Sequence, residues 1–253
     1  MSFDRHDLYE RTVQSPEKVV AFLRELHGGS PRALREDFSG TAAVSRAWVR
    51  IVPEGSAVAV DLDASVLERA AGIERLEAVR ADVRTAPTGR GADVIFVGNF
   101  SIGEIGERAE LVRYFERSRG RLLDGGVFVC DVYGGPSSLR TGAIELSHWI
   151  ESGARILYVW EQREVDPATG RVVDAMHFRV ERGGEIVQSI EDAFVYRWRL
   201  WSVAELREAM SEAGFGSTEV RTDLYMRGAA GEEPIRSSLD VGEGFVACVA
   251  ARL

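Results

Sequence analysis

The stretch REDFSGTA, residues 35–42, contains the first strand-to-helix turn of the chain. Ala33–Asp37 is a short predicted strand, and Thr41–Val49 has the apolar spacing of a helix. In an open sheet of parallel strands, ligands bind beyond the carboxyl ends of the strands, and this turn is the first such place. Gly40 permits close approach of a ligand to the backbone, and the helix behind it offers free N–H groups.

Strands and helical segments alternate along the next part of the chain. Further strands are predicted at Ala57–Asp61, Glu77–Asp82, Asp93–Asn99 and Val127–Tyr133, with helical spacing at Ala64–Ala71 and Arg108–Leu122. The connections between them are short. This β-α-β-α order predicts an α/β fold, a doubly wound and mostly parallel sheet with helices on both faces.

The pattern changes after residue 135. Three long strands are predicted at Arg155–Glu164, Val172–Glu181 and Ile186–Trp198. The turns between them are so short that only antiparallel pairing is possible. Residues 136–200 are therefore predicted to form an antiparallel β-meander inserted after the fifth core strand.

The C-terminal part returns to the core pattern. Ser202 and Glu205 form a predicted capping box at the start of a helix. Strands near Thr218–Leu224 and Phe245–Ala251 would complete the sheet. The segment 227–242 between them is rich in glycine and charge, and we expect it to be mobile.

Composition excludes several classes of protein. The 253 residues are 45% hydrophobic and carry a formal net charge of −9, which disfavours a phosphate backbone as partner. The two cysteines and four histidines lack zinc-ligand spacing, so no metal is expected. Neither a signal peptide nor a membrane-spanning apolar run is visible, and we expect a cytoplasmic protein without membrane contact.

The turn at residues 35–42 has too few glycines for a dinucleotide. Enzymes that bind NAD or FAD use three glycines here, because a pyrophosphate must be cradled. Here Phe38 and Ala42 flank the single glycine, Gly40. A nucleoside ligand without phosphate therefore fits better.

Polar residues follow the next three strands as well. Asp61 ends the second strand, 21 residues after Gly40, where a carboxylate can accept hydrogen bonds from both ribose hydroxyls, although Asp63 is a close rival. Asp82 follows the third strand and is placed to accept from the exocyclic amine of adenine. Asn99 ends the fourth strand at the border of the crevice.

Together these residues resemble the class I S-adenosylmethionine-dependent methyltransferases of small-molecule type. The first motif of that family reads acidic-x-Gly-x-Gly-x-Gly. Glu36 matches the acid and Gly40 the middle glycine, whereas Phe38 and Ala42 depart from the motif.

The resemblance covers residues 30–135 and 201–215. It implies a Rossmann-like, seven-stranded sheet of order 3-2-1-4-5-7-6 with an antiparallel seventh strand, and S-adenosylmethionine as cofactor. Residues 7–14, DLYERTVQ, resemble N-terminal lids in which a Tyr closes over the cofactor. The implied cofactor-binding residues are Tyr9, Arg35, Glu36, Ser39, Gly40, Thr41, Asp61, Leu62, Asp82, Val83 and Asn99.

The implied domain organisation follows the chain. We expect an N-terminal helical lid (1–29), a cofactor-binding core (30–135), an inserted β region for substrate cover or dimerisation (136–200) and the C-terminal part of the core (201–253).

The implied reaction is in-line transfer of a methyl group from a sulfonium to a nucleophile. Tyr133, at the end of the fifth strand, and Arg199, where the meander returns to the core, are the catalytic candidates. Alternation places Tyr196 and Trp198 on one face of that strand and Arg197 with Arg199 on the other. The sequence leaves open which face meets the pocket.

The expected partner is a small-molecule acceptor, bound by a monomer or a homodimer. Three alternatives remain at this stage: methylation of protein or RNA, a non-catalytic S-adenosylmethionine-binding protein of the same fold, and an NAD-dependent reductase. Fold alone does not distinguish them.

Overall fold

The computed structural model describes residues 2–86, 89, 91–150, 153–222, 224 and 244–253. The helices are α1 (Arg5–Thr12), α2 (Pro16–His27), α3 (Ala43–Ile51), α4 (Ala64–Leu67), α5 (Arg108–Arg119) and α6 (Val203–Glu212). The strands are β1 (Ala33–Asp37), β2 (Ser56–Asp61), β3 (Leu76–Arg80), β4 (Ala92–Val97), β5 (Leu122–Gly134), β6 (Gly142–Trp149), β7 (Arg155–Asp166), β8 (Arg171–Arg182), β9 (Glu185–Arg199), β10 (Ser217–Arg221) and β11 (Phe245–Arg252).

The larger sheet has the order β3-β2-β1-β4-β5-β11-β10. Pairing is parallel from β3 through to β5, and β11 runs antiparallel to both of its neighbours. The predicted fold class, sheet order and antiparallel seventh strand are thereby confirmed. Segment 227–242, expected to be mobile, lies outside the described residues.

Three helix boundaries differ from the predicted ones. α4 ends at Leu67 rather than at Ala71, because the chain continues as a 3-10 helix over Glu68–Ala70. α3 begins at Ala43 rather than at Thr41, because Ala42 has a left-handed backbone (φ 56°) that no helix can include. α5 ends at Arg119 rather than at Leu122, because Leu122 already pairs with Ala92 as the first residue of β5.

The second sheet is antiparallel and has the order β6-β7-β8-β9. Three of its strands were predicted, and β6 was not. The side chains of β6 are almost all exposed, and the sequence offers only the short alternation Ile144-Glu145-Leu146-Ser147 as a strand signal.

The inner face of the second sheet covers the ligand edge of the larger sheet. Tyr158 of β7, Phe178 of β8 and Phe194 of β9 pack there with Leu8 of α1, which is fully buried. Burying these apolar side chains stabilises the arrangement of α1 and the second sheet as a roof over the strand ends.

A buried charge network lies beneath β1, inside the larger sheet. The Asp37 carboxylate is fully buried, 2.8 Å from Arg35 Nε and 2.9 Å from the Tyr114 hydroxyl, which donates to it. Burial raises the pKa of Asp37, whereas the guanidinium groups of Arg35 and Arg121 oppose the rise. Arg35, expected beside the cofactor, lies in this network and is not among the residues that line the cavity described below.

None of the helices in the described ranges combines the length and apolar character needed to cross a bilayer.

The network generates a stability prediction. Tyr114→Phe leaves the buried Asp37 without one of its donors, so the free energy of unfolding should fall by about 1–3 kcal/mol in urea denaturation. Tyr158→Phe is the matched control, because the Tyr158 hydroxyl forms no hydrogen bond within the described residues, and it should change stability by less than about 0.5 kcal/mol. Equal losses in the two variants would contradict this account of Asp37.

Candidate functional site

A cavity of about 480 Å³ lies at the carboxyl ends of β1 to β4, under α1 and β9. Its walls come from four separate segments at the strand ends, and the roof adds two more, the N-terminal segment and β9. The lining residues are Arg5, His6, Tyr9, Gln14, Phe38, Ser39, Gly40, Thr41, Asp61, Leu62, Asp63, Val66, Ala81, Asp82, Val83, Arg84, Asn99, Ser101, Glu104, Ile105, Phe194, Val195, Tyr196 and Trp198.

The turn after β1 forms the floor of this cavity, and every second residue from Phe38 to Ala42 has a left-handed backbone. Phe38, Gly40 and Ala42 all have positive φ, at 56°, 52° and 56°. These are the three positions at which the first methyltransferase motif has glycine. The turn therefore follows a glycine-type path, although a left-handed residue that carries a Cβ costs about 1–2 kcal/mol. A Cβ added at Gly40 would meet no atom within 4 Å.

Asp61 connects the ends of β1 and β2. Its Oδ2 accepts from the Gly40 backbone N–H at 2.8 Å, and its Oδ1 accepts from the Asp63 N–H at 2.9 Å. Each carboxylate oxygen has further acceptor capacity, and the side chain lines the cavity. The rival, Asp63, also lines the cavity, but its Oδ1 caps α4 through Ser65.

Two hydroxyl groups of the turn lack a hydrogen-bond partner in the part of the chain that the structure describes. Ser39 Oγ and Thr41 Oγ1 are buried and form no hydrogen bond with the described residues, although both residues line the cavity. Buried polar groups are nearly always paired. Both hydroxyls therefore suit a polar ligand, and this fits the nucleoside cofactor expected from the sequence.

Asp82 and Val83 line the opposite wall. Hydrogen bonds from Arg84 lower the pKa of Asp82, and the Arg84 guanidinium contacts both oxygens of that carboxylate. Val83 is buried and offers an apolar surface there. An ionised carboxylate can accept a hydrogen bond from the exocyclic amine of a nucleobase, and the apolar surface beside it can contact the flat ring.

Asn99 also reaches the cavity, on a strained turn. Asn99 and Phe100 have positive φ, at 55° and 62°. Their backbone N–H groups donate to the two oxygens of Asp131, at 3.0 and 2.7 Å. The buried Asp131 carboxylate thus holds the end of β4 in place.

The predicted Glu36 lies outside the cavity lining. Its Oε2 accepts from the backbone N–H and the hydroxyl of Ser45, in the first turns of α3. Burial raises the pKa of Glu36 to about 7, although the Ser45 hydrogen bonds act against the rise. Of the three carboxylates expected to converge on one ligand, Asp61 and Asp82 line the cavity and Glu36 does not.

Tyr9 is part of the roof. Its ring meets Phe194 edge-on at 5.3 Å between centroids, and burial raises the pKa of its hydroxyl. Ion pairs hold α1 on the core, since Arg69 binds Asp4 and Asp7.

The two catalytic candidates lie away from the cavity. The Arg199 guanidinium packs 3.8 Å from the centre of the Trp201 ring and binds Glu205. Strand alternation explains this, because Tyr196 and Trp198 take the face that meets the cavity. The Tyr133 hydroxyl donates to Asp174 at 2.8 Å, and neither residue lines the cavity.

Sequence reasoning missed several residues that line the cavity. Phe194 continues the alternation of Tyr196 and Trp198, so extending that pattern by two residues would have found it. Arg5 and His6 carry no such signal, because only the position of α1 over the strand ends brings them there.

Carboxylates outnumber cations around the cavity. Four acids, Asp61, Asp63, Asp82 and Glu104, line it with two arginines and one histidine. One of the arginines, Arg84, is already paired with Asp82. The site therefore favours a cationic ligand and disfavours a pyrophosphate.

Comparisons with known proteins show similarity of fold and no similarity at the level of sequence families. No protein-family model matches the sequence, and a comparison with curated proteins found no match. Solved structures similar to this chain include the sugar N-methyltransferase KedS8 from Streptoalloteichus sp. ATCC 53650 (TM-score 0.70, 18% identity, covering 100% of this chain and 94% of that one) and DesVI of Streptomyces venezuelae (0.73, 16%, 100% and 99%).

A third similar structure is S-adenosylmethionine-bound CalS10, an amino pentose methyltransferase from Micromonospora echinaspora (TM-score 0.68, 18% identity, covering 100% of this chain and 98% of that one). At these identities the likeness shows the fold alone. The chain has the fold of the class I S-adenosylmethionine-dependent methyltransferases, over its whole length.

The Tyr133–Asp174 pair generates a pH prediction. Burial raises the pKa of Asp174 from 3.8 to about 6, although the Tyr133 hydrogen bond opposes the rise. The folded chain then holds this proton more tightly than the unfolded chain, so the contribution of Asp174 to stability declines as pH rises from about 4 to about 6.

Asp174→Asn removes this contribution. In urea denaturation, the free energy of unfolding of the variant minus that of the wild type should be larger at pH 7.5 than at pH 4.5. A difference that is the same at both pH values would contradict the raised pKa.

Proposed function

We propose that this chain is an S-adenosylmethionine-dependent methyltransferase that transfers the methyl group to a small-molecule amine. The observation that carries the proposal is the net negative cavity, with Asp61 at the end of β2, beside a turn that lacks a phosphate-binding glycine set. S-adenosylmethionine is a cation at its sulfonium and amino groups, whereas NAD brings a negative pyrophosphate.

When bound, the cofactor supplies an electrophilic methyl group on a sulfur that is already a good leaving group. Asp61 would accept from the ribose hydroxyls, and the free hydroxyls of Ser39 and Thr41 would pair with the polar groups near the turn. Asp82 would accept from the adenine amine, with Val83 against the ring.

Other residues of the chain align the reactants and exclude water. Tyr9 and Phe194 form a roof over the cavity, and a closed roof removes water from the reacting groups. The remaining wall, near Glu104 and Trp198, is left for the acceptor.

Two observations support an amine as acceptor. Similar structures are described as a sugar N-methyltransferase and an amino pentose methyltransferase, and both are covered almost completely by this chain. The acceptor wall joins aromatic rings to a carboxylate, which is the environment that recognises ammonium groups.

Calorimetry tests the cofactor assignment. Asp61→Asn should weaken S-adenosylmethionine binding at least tenfold, because charge-assisted hydrogen bonds contribute about 1.5–3 kcal/mol. Asp63→Asn is the matched control, since that carboxylate caps α4, and it should change the Kd less than threefold.

The same titrations use NADH as competitor ligand. Wild-type protein that binds NADH and not S-adenosylmethionine would overturn the proposal. Transfer of a labelled methyl group to a panel of small amines and alcohols then separates an enzyme from a non-catalytic binding protein.

A further inference from the structure

The acceptor wall carries a carboxylate that has no role in holding the cofactor. Glu104 follows β4 in a short 3-10 turn, Ser101–Glu104, and lines the cavity with its exposed side chain. Asp61 and Asp82, at the ends of β2 and β3, are the carboxylates assigned to the nucleoside. Glu104 is therefore the acid available to a second ligand.

A neutral donor holds this carboxylate in place. The indole N–H of Trp198 donates to Glu104 Oε1 at 2.8 Å, leaving Oε2 with its full acceptor capacity. Within the described ranges of the chain, no arginine, lysine or histidine forms an ion pair with Glu104. The negative charge is oriented without being neutralised.

Aromatic rings continue from this carboxylate along the cavity. The aromatic ladder consists of Phe194, Tyr196 and Trp198, which alternate along β9 on the face toward the cavity. Tyr196 stacks on Trp198 at 4.3 Å and on Phe194 at 6.2 Å between ring centroids.

The ladder already binds one cation. The Arg5 guanidinium lies 5.1 Å from the centre of the Phe194 ring, a cation–π distance. An ammonium site needs aromatic ring faces and a carboxylate. The ladder provides the ring faces, and Glu104 provides a fixed carboxylate at its Trp198 end.

We infer that Glu104 determines specificity by binding the ammonium form of the acceptor amine, and that Trp198 is the residue that positions it. The inference rests on the proposed methyl transfer and adds a residue to it. Glu104 contacts the acceptor, whereas Trp198 acts by orienting Glu104 through the 2.8 Å hydrogen bond. Before transfer the bound ammonium has to lose one proton to water, so that the freed nitrogen lone pair can form the bond to the methyl carbon while the carbon–sulfur bond of the donor breaks. An alcohol of the same skeleton can donate a hydrogen bond to this carboxylate but lacks the positive charge that an ammonium group brings to it.

The test uses two matched pairs of acceptors, glucosamine with glucose and cyclohexylamine with cyclohexanol. Wild-type protein should methylate or bind at least one amine and prefer it to its alcohol by tenfold or more in kcat/KM. Glu104→Gln should raise KM for that amine at least tenfold and leave kcat within threefold, because the lost charge acts on binding. The Kd of S-adenosylhomocysteine should stay within twofold.

Trp198→Phe keeps an aromatic ring at this position and removes the indole N–H donor. It should therefore also raise KM for the amine, by a smaller factor than Glu104→Gln. The matched controls are Trp160→Phe, an indole in the same aromatic cluster without a bond to Glu104, and Glu107→Gln, a surface acid paired with Arg171. Both should leave KM unchanged. Thermal unfolding of each variant identifies any loss of folded protein.

The outcomes separate the two proposals. If wild-type protein fails to bind S-adenosylhomocysteine, the proposed function itself is wrong. If the cofactor binds and Glu104→Gln leaves KM unchanged, weakens cofactor binding equally, or leaves the amine no better than its alcohol, the role of Glu104 is overturned. The same conclusion follows if wild-type protein binds the cofactor and neither binds nor methylates either amine.

Discussion

The site depends on a backbone constraint at one turn. Three alternating residues after β1 have left-handed φ, and the middle one, Gly40, turns its N–H toward Asp61. That hydrogen bond joins the ends of two neighbouring strands and sets the position of the carboxylate at the cavity. The left-handed backbone of Phe38 and Ala42 is costly, and it is maintained because both side chains are packed: Ala42 is fully buried and Phe38 contacts Tyr114.

A second layer turns this edge into an enclosed site. Parallel strands leave a crevice at their carboxyl ends, but the crevice alone is open to water. Here α1 and the inner face of the antiparallel sheet cover it, and the ion pairs of Arg69 with Asp4 and Asp7 hold the helix down. The covering layer also supplies the aromatic rings, so the same packing that encloses the cavity determines the chemistry of its acceptor wall.

Much of the core was accessible from the sequence because its signals are local. Buried strands such as Ala57–Asp61 are visible as apolar runs, and polar residues at strand ends, such as Asp82 and Asn99, mark the ligand edge. The placement of Glu36 could not be predicted, since its position in the motif is the same whether the carboxylate faces the cavity or the N-terminus of α3. The side of the strand on which Arg199 lies could not be predicted, because alternation defines two faces without saying which one is inside.

The most direct test of the account is a crystal structure of the chain grown with S-adenosylhomocysteine. We expect the ribose hydroxyls within hydrogen-bonding distance of Asp61, adenine beside Asp82 and Val83, and the thioether sulfur facing the wall formed by Glu104 and Trp198. Nucleoside density at a different edge of the sheet, or a cavity left empty at saturating ligand, would contradict it.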